Sequence, residues 1–209
     1  MKQSKKVLAL VLSLVLVVGC AVGGMYAWLQ EEADPVVNTF VAGKLIDPDQ
    51  GGVFELKEHK ATRQPNGTYD LENSIEVDRN EYIVMPGVDL AKDPFVQVKT
   101  AEQAYLFVEV VNTLPTGMTA TVNTDQWTEV VGAVGQNGGK VYTLKDGPLA
   151  PAEELATHYI LKDNKVVVDK DFAAPEDGIG NLEFYGYLTQ AAGFDSAIDA
   201  WNANFGVEE

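Results

Sequence analysis

Cysteine is almost absent from this chain. The single one, Cys20, lies among the first 29 residues, so the remainder can form no disulfide and must rely on its core. Histidine occurs only twice, at His59 and His158, and no His-Glu-x-x-His exists, which removes the zinc-protease signature. After residue 29 the only serines are Ser74 and Ser196, neither in a Gly-x-Ser-x-Gly setting, so the nucleophile elbow of a hydrolase is excluded. Ser74 follows Asn73 in an expected turn, and Ser196 opens an expected helix. Positive charge is scarce. The sequence has 15 Lys and Arg against 31 Asp and Glu. Lys2, Lys5 and Lys6 precede residue 29, so 12 cations face all 31 acids beyond it, a balance of −19. Such a surface repels nucleic-acid phosphates and anionic lipid. It keeps an exported protein soluble until something specific overcomes the repulsion.

What is present begins at the N-terminus. Three lysines lead into an apolar run from Val7 to Val18, broken only by Ser13, and then into small residues up to Ala27. Charge, apolar stretch and small-residue exit are the pattern of an export signal. Cleavage between Ala27 and Trp28 would leave about 180 residues, enough for one domain. Two other readings stay open. Val17-Val18-Gly19-Cys20 fits a bacterial lipobox, with Cys20 lipidated. Val7 to Leu29 is uncharged for about 23 residues, long enough to remain as an anchor. Membrane contact is expected only through the uncleaved leader or a lipidated Cys20. The Cys20→Ala change separates the first two readings, since it would release only a lipoprotein.

Downstream the apolar period is two. Phe95 to Lys99 alternates, with Val96 and Val98 on one face. Tyr105 to Val111 places Leu106, Val108 and Val110 on one face and Tyr105, Phe107 and Glu109 on the other. Lys140–Leu144, Lys165–Val168 and Leu182–Leu188 read as further strands, with Val36–Val41, Tyr69–Leu71 and Tyr82–Met85 as shorter candidates. Turn signals separate them, among them Asn66-Gly67, Pro86-Gly87 and Asp163-Asn164. Many short strands with Gly and Pro turns argue a jelly-roll β-sandwich. Two short helices are expected. One spans Pro151–Ala156. The other spans Asp195–Phe205, capped by Asp195 or Ser196, with Ile198, Trp201 and Phe205 facing an end or edge of the sandwich. Tyr105, Phe107, Tyr185 and Tyr187 are expected to share one sheet face as packing.

Sites for chemistry are few, and no enzyme activity or cofactor is expected. Asp47, Asp49 and Glu58 have the spacing of a calcium loop, but the flanks are not helical. A polar loop between strands is the plainer reading, and no metal is assigned. Gly132–Gly139 lacks the strand-to-helix setting of a phosphate loop and reads as a mobile loop. Leu114-Pro-Thr-Gly117 falls one residue short of a sortase motif and reads as a turn.

Several segments together resemble the TasA/camelysin family of secreted proteins, whose leaders are removed by a SipW-type signal peptidase. They are Gly23-Gly24-Met-Tyr-Ala27, then Asn38-Thr-Phe-Val-Ala-Gly43, Met85-Pro-Gly-Val88 with Asp93-Pro94, Tyr105–Val110, and Tyr187–Phe194 followed by Ala197–Trp201. They occur in the family's order over most of the chain; residues 116–177 have no counterpart. The resemblance implies a secreted or cell-surface biofilm-matrix fibre subunit of a Gram-positive-type bacterium. It divides the chain into a signal peptide (1–27), a donor segment (28–41) and a jelly-roll domain (42–209). Each subunit would complete the next with its N-terminal strand, anchored by Trp28, Leu29, Val36 and Val37. Pro35 lacks an N–H and would sit at a break or edge. The partners would be other copies, with a related minor or anchoring subunit as a further candidate. The competing reading is a monomeric surface or lipid-anchored module that binds glycan or protein, with 28–35 a loose tail.

Overall fold

The computed structural model of the chain describes residues 30–33, 45–47, 51–176 and 178–206. Twelve strands and one helix occur among them. The strands are β1 (Gln30–Ala33), β2 (Val53–Arg63), β3 (Tyr69–Val77), β4 (Leu90–Ala91), β5 (Phe95–Lys99) and β6 (Ala104–Asn112), then β7 (Met118–Val122), β8 (Trp127–Glu129), β9 (Lys140–Leu144), β10 (Ala156–Tyr159), β11 (Leu161–Val168) and β12 (Leu182–Gln190). The helix, α1, spans Ala197–Phe205.

All pairings are antiparallel, and the strands form an all-β sandwich of jelly-roll type. One layer has the order β1-β12-β6-β9-β8. The other joins two smaller sheets, β10-β5-β2-β3 and β4-β11-β7. These are continuous through two bent strands. Ile160 links β10 to β11 and donates its N–H to the Pro94 carbonyl (2.9 Å); Lys92, between β4 and β5, donates to the Asn164 carbonyl (2.9 Å). Asp163 and Asn164 absorb the bend with φ of 56° and 51°, where the register of β11 shifts. The sequence marked this pair as a turn between strands; it is a bulge within one.

Between the layers lie Phe54, Val96, Val98, Leu106, Val108, Leu161 and Leu188, all nearly inaccessible. A second cluster covers the outer face of the first layer. There Tyr105, Phe107 and Tyr187 pack under Trp201 and Phe205 of α1. Both faces of β6 are thus buried, which explains its nearly unbroken apolar run. Ser196 caps α1 as expected, its hydroxyl accepting from the Asp199 N–H (3.3 Å). The helix covers a sheet face, however, and not an end or edge.

Several other expectations change. Residues 151–155 form no helix, and Ala156 opens β10. Tyr82–Met85 is not a strand. Tyr82 packs edge-on against Tyr69 (5.0 Å), whose hydroxyl accepts from the Ile83 N–H (2.7 Å), so this segment is held sideways. Ser74 lies in β3 and not in a turn. The longest strand, β2, occupies residues read partly as a loop. The strand candidate Val36–Val41 lies outside the described residues.

Candidate functional site

Exposed sheet edges invite pairing with other chains. Among the described residues, three of the four edges are guarded. β8 is only three residues long. β7 is five residues and presents Thr119 and Thr121 to solvent. β3 carries Asp70, Glu72 and Glu76 beside a register shift in its pairing with β2. The fourth edge, β12, has none of these features. It is nine residues long, pairs in unbroken register with β6, and contains one charge, Glu183.

β1 covers this edge, but only in part. Gln30 stands opposite Thr189, Glu31 opposite Leu188, Glu32 opposite Tyr187 and Ala33 opposite Gly186. Among the described residues, no strand pairs with the outer side of β12 from Leu182 to Tyr185. The expected anchors Trp28, Leu29, Val36 and Val37, and the cleavage pair Ala27 and Trp28, lie outside the described residues.

A cleft of about 640 Å³ opens beside the Leu182–Tyr185 part of β12. It lies at the end of the sandwich where β6 finishes and β12 begins. Leu56, Val84, Leu114, Leu182 and Phe184 are among its lining side chains, with Met118 and Val166 deeper in. Its floor holds an ion pair, Lys92 Nζ to Glu58 Oε2 at 2.6 Å, with both side chains largely buried. Lys92 Nζ also lies 5.8 Å and 5.7 Å from the ring centres of Tyr82 and Phe184. The Tyr82 hydroxyl donates to the Ala91 carbonyl (2.7 Å). Burial, then Glu58 and Asp93 nearby, push its phenol far up from the ordinary value. At the rim, burial and Glu183 push the Tyr185 phenol up to about 12. One residue on, His59 Nδ1 meets Asp93 Oδ2 at 2.6 Å, and Asp93 Oδ1 accepts from the His59 N–H at 3.0 Å. These paired polar groups fix β2 against the β4–β5 link more than they add net stability. They leave no unpaired ion on the cleft floor.

This chain matches no family model, no curated protein and no solved structure.

Asp47 and Glu58, the described residues of the calcium-loop candidate, are not brought together. Asp49 lies outside the described residues. The Asp47 carbonyl accepts from the Gly52 N–H (2.7 Å). Glu58 lies six residues further along an extended strand, roughly 20 Å away, in its ion pair with Lys92. No group of three metal-ligating side chains occurs among the described residues. Likewise, no helix among them is long and apolar enough to cross a membrane.

The glycine-rich loop expected to be mobile is clamped. Glu109 is fully buried on the outer face of β6. Its Oε1 accepts from the N–H groups of Asn137 and Gly139, both at 2.8 Å. Its Oε2 accepts from Asn137 Nδ2 (3.1 Å) and the Tyr187 hydroxyl (2.9 Å). Gly135 and Gly139 let the loop approach this closely; a Cβ at Gly139 would lie 2.6 Å from the Val110 carbonyl oxygen. The loop also holds α1, through Trp201 Nε1 to the Val134 carbonyl (3.1 Å) and Gln136 Nε2 to the Phe205 carbonyl (3.3 Å).

His158 gives a pH test of the second layer. It packs edge-on to Trp127 (6.3 Å), and its Nε2 is buried without a hydrogen-bond partner. Burial lowers its pKa below the ordinary 6.5. The folded state thus favours neutral His158. Its contribution is complete above about pH 6.5 and is lost as the pH falls through that value toward the lower folded pKa. Chemical denaturation from pH 7.5 to 5 is expected to show a loss of stability that His158→Phe reduces. Identical slopes in the two proteins would contradict this role.

Proposed function

We propose that this chain is an exported structural subunit of an extracellular matrix fibre, polymerising head-to-tail by exchange of its N-terminal strand. The observation that supports this reading most is the place of β1. An N-terminal strand of four residues covers the one long unguarded edge of the sandwich. The described pairing is short: Gln30-Glu31-Glu32-Ala33 is mostly polar and is paired over four residues. A short polar strand leaves its own edge at little cost, and the same ladder can form on the β12 of another copy. Exchange of an identical element makes a contact that propagates when it does not close. The chain from Ala33 to Leu45 can span up to roughly 40 Å. That exceeds the roughly 30 Å length of β12, so β1 can reach a neighbour while the sandwich stays intact. The TasA/camelysin resemblance supports the same reading, with export and leader removal preceding assembly.

A cysteine pair tests it, because only Cys20 would interfere. In a Cys20→Ala background, Gln30→Cys with Thr189→Cys places two thiols at opposed positions of the ladder. Oxidation of the exported protein is expected to give a reducible ladder of dimers, trimers and larger species. A bridge formed only within single copies would refute strand exchange. That result would favour the second reading, a monomeric surface module, for which the cleft would be the binding site.

A further inference from the structure

We propose that Asn66, at the tip of the β2–β3 hairpin, is a site of spontaneous covalent modification: the Gly67 nitrogen attacks its side-chain amide, and the residue is converted to aspartate and isoaspartate. The inference is independent of the fibre reading and holds equally for a monomeric module.

The chain contains two Asn-Gly pairs, Asn66-Gly67 and Asn137-Gly138. In such a pair the glycine nitrogen lies within reach of the asparagine Cγ, and no side chain on the glycine blocks the approach. The two turns are otherwise alike. Both asparagines are exposed. Each glycine has a left-handed φ, 91° at Gly67 and 79° at Gly138. Each glycine N–H closes its turn, Gly67 onto the Gln64 carbonyl (2.9 Å) and Gly138 onto the Gly135 carbonyl (3.2 Å). The difference lies at the asparagine side chains.

At Asn66, donors face the amide oxygen. The Thr68 N–H (3.1 Å) and the Thr68 hydroxyl (2.8 Å) both donate to Asn66 Oδ1. Attack of the Gly67 nitrogen on Cγ drives negative charge onto that oxygen. Donors already aimed where charge develops stabilise the transition state. The reaction then needs only solvent. The Gly67 N–H proton passes to hydroxide or water, the N–Cγ bond forms, the Cγ–Nδ2 bond breaks and ammonia leaves. Water opens the resulting succinimide at either carbonyl. The new carboxylate arises beside Arg63, whose Nη2 lies 3.7 Å from where a Cβ on Gly67 would stand. An opposite charge at that range favours the product.

Asn137 is arranged the other way. Its Nδ2, the leaving group, donates to Glu109 Oε2 and to the Tyr187 hydroxyl, both at 3.1 Å. Its N–H is held by Glu109 Oε1 at 2.8 Å. Loss of Nδ2 would break both side-chain bonds and set a second carboxylate against Glu109, a like-charge pair. The clamp that fixes this loop thus also protects its asparagine.

The test is peptide mapping by mass spectrometry of the exported protein held in warm, mildly alkaline buffer. Exchange of the amide for a carboxyl adds one dalton. The peptide containing Asn66 is expected to gain it at least tenfold faster than the peptide containing Asn137. Equal rates, or an Asn66 that does not react, would overturn the proposal. In the urea-unfolded chain the two peptides are expected to convert at similar rates. A tenfold difference that persists in urea would place its cause in the neighbouring sequence and overturn the structural account. Two variants check the two halves separately. Thr68→Val removes the hydroxyl donor and is expected to slow conversion at Asn66 several-fold; an unchanged rate refutes the role of that donor. Glu109→Gln keeps the shape of the clamp without its charge and is expected to speed conversion at Asn137 several-fold; an unchanged rate refutes the protection.

Discussion

Glu109→Ala is expected to lower the melting temperature by roughly 10 °C. Four hydrogen bonds end on this carboxylate, two of them from backbone N–H groups of the loop. A buried donor left without a partner costs about 1–3 kcal/mol. Removing the acceptor of several donors, together with the methylenes that fill the space, should cost about 3–5 kcal/mol. The damage should extend beyond the loop. Tyr187 would lose its hydrogen bond to Glu109 beneath Trp201, and the Val134 and Gln136 contacts that hold α1 would loosen. Thermal unfolding followed by tryptophan fluorescence reads both effects. Asn137→Ala is the graded comparison. It keeps the Asn137 and Gly139 backbone bonds to Glu109 and should cost only about 1 kcal/mol. Equal losses from the two variants would mean that Glu109 is not the hub of this network.

The network also shows where the sequence was legible and where it was not. The alternation of Tyr105–Val111 placed Glu109 correctly on the face with Tyr105 and Phe107. Nothing local revealed that α1, some 90 residues later, would bury that face. The loop at 132–139 consequently looked mobile, since its glycines signal freedom unless a buried acceptor is known to face them. The helix itself was legible from Ser196 and the spacing of Trp201 and Phe205. β2 was obscured for a related reason. Its Phe54 and Leu56 alternate, but Glu58, His59 and Lys60 then read as a solvated stretch. They are compatible with a strand because Lys92 and Asp93, 34 residues away, give Glu58 and His59 their polar partners. Long-range pairing of charges leaves no periodic signal. Tyr82–Met85 failed in the opposite direction: it has strand composition, but Tyr69 holds its backbone sideways. The cleft was invisible to sequence because it arises where two layers part.

The candidate site was legible in one respect. The segment 28–41 was expected to complete the sheet of another copy; within this chain its Gln30–Ala33 pairs with the chain's own β12. Its expected apolar anchors flank those four residues, so the polar residues between them carry the described pairing. The other large expected effect follows from this arrangement. Removing the segment should expose the outer edge of β12 at Gly186–Thr189 while leaving its ladder with β6 in place. The sandwich should still fold, with a lower melting temperature, and should lose the element it donates.

Negative-stain electron microscopy of residues 28–209 beside a chain starting at Val41 therefore tests the account most directly. Filaments from the longer chain and none from the shorter are the expected result, with circular dichroism showing that the shorter chain keeps its β-structure. Filaments from both would contradict it, since assembly would then need no N-terminal strand.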